Sequence, residues 1–167
     1  ISHNWGDNVT IDAGAGNDTI TVKNSYSWDN KNATITGGAD NDYISLDSGS
    51  VNALIQFAEG DGNDTVIGFI GSNDTLQITS GDYTVDTVGN DFIVKVGEDS
   101  ILLKDALAGG YEKITVQDSS GEITTHNDWK VWNGSIENNV YPNVTLAGSD
   151  EGDTIKNSAR YVLVTGN

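Results

Sequence analysis

The chain of 167 residues contains no cysteine, which excludes a disulfide framework, a thiolate metal site and a cysteine nucleophile. Methionine is also absent, and proline occurs once, at Pro142. Lysine and arginine together number 8 against 25 acidic residues, for a formal net charge of -17. Nucleic acids and anionic membranes are recognised through basic patches, and this chain has too little basic charge to build one. The only histidines, His3 and His126, stand in no Ser-His-Asp or His-x-x-x-His context, and Arg160 is the single arginine. No apolar run is long enough to span a bilayer, so no membrane insertion is expected, and no signal-peptide pattern stands at Ile1.

So acidic a composition strains a compact state by self-repulsion unless cations neutralise it. It also occurs in disordered chains. Here, however, 36% of residues are hydrophobic and they arrive in short β-branched runs, as folded β proteins have them. The length suits one domain or one array.

Self-similarity decides the fold. Asn8 to Val22, Asn32 to Leu46, Leu54 to Ile67 and Asn143 to Ile155 each read as strand, Gly/Asp turn, strand, with alternation of period two on both sides of the turn. Asp42 follows Asp18 by 24 positions and precedes Asp64 by 22. Gly71-Ser72-Asn73-Asp74-Thr75-Leu76 is a degenerate half-unit. Ile11, Ile35, Phe57 and Leu146 are expected in one inward column, and Ile20, Ile44, Val66 and Ile155 in a second. One such unit cannot bury its apolar face, but stacked units make a continuous core. From Gln77 the pattern fades into a hairpin, Tyr83 to Val88 and Phe92 to Val96, then strands at Ser100 to Leu103, Ile114 to Val116 and Glu122 to Thr125. Lys104 to Glu112 has enough Ala and Leu for one turn of helix.

Gly37-Gly38-Ala39-Asp40-Asn41-Asp42-Tyr43-Ile44-Ser45 carries the densest chemistry. Its glycines allow positive φ and close backbone approach. Asp40 and Asp42 set two hard oxygen ligands beside turn carbonyls, the donors calcium prefers. This nonapeptide resembles the repeats-in-toxin (RTX, haemolysin-type) calcium-binding family, a pattern known from parallel β-helices. The resemblance covers about a third of the chain and is best over 32–46; long inserts separate what are tandem nonapeptides in the family. It implies an all-β, right-handed parallel β-helix or β-roll, with repeat units over about 1–76 and 143–167 and an irregular antiparallel insertion over about 77–142. It implies calcium as the cofactor, held by Asp18, Asp42, Asp64 and Asp153, with Asp40 and Asp61 as further carboxylates and the turn glycines Gly14, Gly16, Gly38, Gly60 and Gly62 supplying carbonyls. It also implies an extracellular or bacterial cell-surface location. The chain stops in Val164-Thr165-Gly166-Asn167 as a new repeat begins, so it is expected to be a module of a longer exported protein.

Aromatic residues cluster in polar inserts: Tyr26 and Trp28 between Ser25 and Asn32, and Trp129 and Trp132 beside Asn127, Asp128 and Asn133. Tyr43 takes the outward place that Thr19, Thr65 and Thr154 take in the other units. Flat aromatic faces stack on sugar rings while amides and carboxylates bind hydroxyls, so these five are candidate polysaccharide contacts. Trp129 and Trp132 would serve equally well as plugs over an open end. No nucleophile, base and basic partner come together, and no enzymatic activity is expected. The reading is a non-catalytic, calcium-stabilised module that binds a polysaccharide of β-glucan type. The alternative is a calcium-binding secretion, folding or adhesion segment with no sugar ligand.

Overall fold

A computed structural model describes residues 1–3, 8–23, 31–46, 51–107, 113–127, 136–139, 145–147, 155–157 and 163–165. It contains two compact units, Ile1–Asn127 and Asp128–Asn167. The protein is all-β, with no helix among the described residues.

The strands of the first unit are β1 (Ser2–His3), β2 (Val9–Asp12), β3 (Thr19–Val22), β4 (Lys31–Thr36), β5 (Tyr43–Leu46), β6 (Val51–Phe57), β7 (Asn63–Ile67), β8 (Thr75–Ile78), β9 (Tyr83–Val88), β10 (Asp91–Val96), β11 (Asp99–Lys104), β12 (Lys113–Gln117) and β13 (Ile123–Asn127). From β1 to β8 successive strands alternate between two sheets. One sheet has the order β1-β3-β5-β7-β11-β10-β9 and the other β13-β12-β8-β6-β4-β2. Pairing is parallel from β1 to β7 and β11, and from β2 to β8 and β12. Antiparallel strands are added only at the far edges, by β10 and β9 on the first sheet and β13 on the second.

Alternation along each strand explains the core. Ile20, Ile44, Val66 and Leu103 stand in register on one sheet, and all are buried. Ile11, Ile35, Ile55, Leu76 and Val116 do the same on the other. The two columns belong to one apolar cluster, each large side chain worth about 1.5–3 kcal/mol when fully buried. One expected column member is corrected here: Phe57 does not stack with Ile35. Ile55 takes that place, and Phe57 pairs with Ile78 in the next rank. The third turn is two residues longer than the first two, so counting back from Asp64 lands two residues late.

Within the stretch expected as an irregular antiparallel insertion, described residues up to 127 extend the two sheets. β8, β11 and β12 continue the parallel sheets, and the expected hairpin forms from β9 and β10. Of the stretch Lys104 to Glu112, expected to hold one turn of helix, residues 105–107 form a turn and 108–112 lie outside the described residues.

The second unit repeats the alternation. β14 (Ile136–Asn139) pairs in parallel with β16 (Ile155–Asn157), and β15 (Thr145–Ala147) with β17 (Leu163–Thr165). Leu146, expected in an inward column, lies in β15 opposite Val164, and Ile155 lies opposite Ile136.

Candidate metal centre

Two positive-φ residues, two positions apart, bend each Gly/Asp turn. They are Gly14 (94°) and Gly16 (103°) in the first, Gly38 (101°) and Asp40 (82°) in the second, and Gly60 (100°) and Gly62 (91°) in the third. Gly38 is there for a second reason. A Cβ on it would stand 1.7 Å from the Gly14 carbonyl oxygen, so only glycine lets the two turns meet. The meeting is hydrogen-bonded: Ala39 N–H donates to Gly14 O (2.8 Å) and Gly16 N–H to Ala39 O (3.0 Å).

Above these turns, two side-chain ladders run in opposite directions. The N–H of Asp18 donates to Asp42 Oδ1 (2.8 Å), and that of Asp42 to Asp64 Oδ1 (2.9 Å). Conversely, Asn41 N–H donates to Asn17 Oδ1 (2.9 Å) and Asn63 N–H to Asn41 Oδ1 (2.7 Å). Each Asn-Asp pair thus reaches back one turn through its aspartate and forward one through its asparagine. The asparagine ladder ends on Ser100, whose hydroxyl donates to Asn63 Oδ1 (2.7 Å). The aspartate column ends at Ile101, which occupies the place opposite Asp64.

The ladder uses only one oxygen of Asp42. Its residue is 3% exposed, and Oδ2 is buried with no hydrogen-bond partner. That oxygen lies against Gly37, where an added Cβ would approach it to 2.3 Å. Desolvation raises the Asp42 carboxyl above its usual range, helped by the charges of Asp18 and Asp40. Desolvation also pushes Asp64 up to about 7, with Asp42, Asp61 and Asp99 adding repulsion. Asp61 is raised by burial and by Asp99 and Asp42. A buried carboxylate oxygen without a donor costs several kcal/mol, as an order of magnitude, unless a proton or a cation meets it.

The candidate ligands therefore fall into three groups. Asp18, Asp42 and Asp64 form one column. Asp40 leans back to accept from Gly16 N–H (3.2 Å), and Asp61 closes its own turn by accepting from Ala58 N–H (2.7 Å). Asp153, Tyr26, Trp28, Trp129 and Trp132 lie outside the described residues. Tyr43 is described, and it faces solvent at 41% exposure. Among the described residues no three acidic or histidine side chains converge on one point as a ready-made cage. The donor set still fits calcium, since every candidate atom is a carboxylate or carbonyl oxygen and one buried oxygen lacks any partner.

Sequence reasoning missed two carboxylates. Asp99 replaces the next repeat by accepting from Gly60 N–H (2.6 Å). Asp74, in the half-unit, is 3% exposed and accepts from Ala53 N–H (2.8 Å) and Ile70 N–H (2.7 Å); burial pushes it up to about 6. The half-unit's Asn73-Asp74-Thr75-Leu76, so like Asn63-Asp64-Thr65-Val66, was the available signal for Asp74. No protein-family model matches the chain, and no significant match arises among curated proteins.

Proposed function

We propose that the chain is a non-catalytic, calcium-stabilised β-solenoid module of an exported bacterial protein. The alternating strands support a solenoid reading, each strand–turn–strand unit stacking on the last. One observation carries the calcium reading: the unpartnered, buried Oδ2 of Asp42 within a column of carboxylates whose charges repel. Bound calcium supplies positive charge and oxygen coordination there. The chain's own part is to hold Asp18, Asp42 and Asp64 in line through the backbone N–H ladder, and to keep other side chains away through Gly37 and Gly38. Exported modules of this kind meet roughly millimolar calcium, at which a site with an affinity of 10⁻⁴–10⁻³ M contributes about 0.4 to 1.4 kcal/mol.

The test is a thermal melt followed by circular dichroism, in excess chelator and in 5–10 mM (~) calcium at constant ionic strength. Calcium should raise the midpoint, and Asp42→Asn should abolish most of that rise while keeping the Oδ1 acceptor. Identical midpoints with and without calcium would remove the reading.

Tyr43 supports a second property of the same module, polysaccharide binding. Among the described residues it is one of four large apolar side chains left exposed, and it stands on a strand rather than a loop. Retardation in gels containing a β-glucan, xylan or mannan would show it; migration unchanged in all three would leave calcium-dependent folding as the module's only small-ligand chemistry.

A further inference from the structure

The outer faces of the two sheets differ in chemistry. On the sheet ending in β2, the outward side chains are mostly hydroxyls and amides that satisfy one another. Thr36 Oγ1 donates to Gln56 Oε1, Gln56 Nε2 to Gln77 Oε1, and Gln77 Nε2 to Gln117 Oε1, at 2.8–3.0 Å. Leu54 and, opposite Gln117 on β13, Ile123 at 63% exposure are the apolar exceptions. The amides of the row spend their donors on one another, so the face offers few free donors beside these two side chains.

The other sheet is different. The register places Thr19, Tyr43, Thr65, Leu102 and Ile93 in one outward row across β3, β5, β7, β11 and β10. Tyr43 is exposed, and Thr65, Leu102 and Ile93 are half-buried. From Tyr43 to Ile93 the row spans three strand spacings, about 14 Å. It is one side chain wide at Tyr43 and two at β7, where half-buried Ile67 stands beside Thr65. On one side lies the rank of Asn41, Asn63 and Ser100 amides and hydroxyls, and on the other Ser45, Ile67 and Lys104.

We infer that this row is a carbohydrate-binding strip, on which a neutral polysaccharide lies across the strands with one ring face stacked on Tyr43. The inference rests on the polysaccharide reading above and gives it a place. Interrupted by Thr65 and bounded by Asn41, Asn63, Ser45 and Lys104, the strip falls short of the broad apolar patch of a protein interface. A sugar chain has the matching profile: apolar ring faces for Tyr43, Leu102 and Ile93, and hydroxyl edges for Asn41 and Asn63. Tyrosine suits this role because it joins a flat apolar ring to a polar tip at little entropic cost. Charge selects the class of polymer. The row itself carries no charge, and at its far end Asp86 is paired with Lys95 at 2.8 Å. The whole chain carries -17, which repels polyanions at long range, so an uncharged polymer is the complementary occupant.

Tyr43→Thr is the decisive variant, because threonine already stands at the neighbouring places 19 and 65 and the strand should tolerate it. Affinity electrophoresis in calcium, on neutral β-glucan, xylan and mannan and on an acidic polyuronate, gives four readable outcomes. The inference expects retardation of the wild-type protein on a neutral polymer and about tenfold weaker retention of Tyr43→Thr. The variant's melting midpoint in calcium should match the wild type within about 2 °C, which reports an intact fold. Wild-type retardation with Tyr43→Thr equally retained overturns the strip but leaves the polysaccharide reading standing, with its site elsewhere. Retardation on the polyuronate alone overturns the choice of a neutral polymer and hence the strip as described. No retardation on any polymer overturns both.

Discussion

Asp40 adopts φ +82°, at the place where the neighbouring turns carry Gly16 and Gly62. An L side chain there is held in an uncommon backbone region, and its charge adds to the repulsion on Asp42. Its one hydrogen bond, to Gly16 N–H, is long and exposed, so water can replace it. In chelator, Asp40→Gly is therefore expected to stabilise the protein by about 1 kcal/mol, read as a higher melting midpoint. In calcium the gain should shrink, because a candidate oxygen ligand has gone; a variant that melts lower in chelator would contradict the strain argument. Asp74 makes a pH prediction. Its carboxyl is pushed up to about 6 in the folded protein against 3.8 for the free group, so the folded state takes up the proton first. Stability from that uptake is fully present below about pH 4 and is lost as pH rises through 6. Asp64, pushed up to about 7, acts in the same direction. Asp118 is held below its usual range, first by the Ser120 hydroxyl, and its window lies under pH 4. In chelator the melting midpoint should thus climb as the pH is lowered from 8 to 5, the reverse of ordinary acid unfolding. A midpoint that falls over that interval would count against these burials.

At the scale of elements, the hairpin of β9 and β10 pairs with the last parallel strand of its sheet, β11, and β13 does the same for β12. Phe92, Val94 and Val96 on β10 are fully buried, so the hairpin also closes the apolar core at that end. Phe92→Ala is expected to cost about 3–5 kcal/mol, measured by urea unfolding. A cost under 1 kcal/mol would mean that the hairpin rests on the edge without sealing it. The repeat strands were legible because their alternation of period two is tied to turns that recur: Ile20, Ile44 and Val66 were placed in one column by their distance from Asp18, Asp42 and Asp64. Counting failed for Phe57, since a longer turn shifts one sheet's register while leaving the other's intact. The continuation into β11 and β12 was not legible either. There Ile101 takes the aspartate's place, and the Gly/Asp signal vanishes although the strand still stacks. The opposed asparagine and aspartate ladders were hidden for a different reason. Asn-Asp reads equally well as ordinary turn chemistry, and only the stacking of turns shows which backbone N–H each side chain reaches.

For the whole molecule, a charge of -17 on 167 residues sets the balance between fold and solvent. Some of that charge is diffuse and exposed, and simple salt screens it. Some is concentrated in the buried column of Asp42 and Asp64, which a screening atmosphere reaches poorly. The two contributions separate experimentally. In chelator, raising sodium chloride from about 0.05 to 0.5 M should raise the melting midpoint gradually, as the Debye length shortens to a few ångströms. A few millimolar calcium changes ionic strength little, yet it should raise the midpoint further than that salt does, and saturably. Magnesium should do less than calcium, since it dehydrates reluctantly and demands octahedral geometry that an aligned column with a single free oxygen on Asp42 does not offer. Equal effects of the two divalent ions, with no saturation, would mean that cations act on this protein only as a screening cloud, and that the buried oxygen of Asp42 is met by a proton instead.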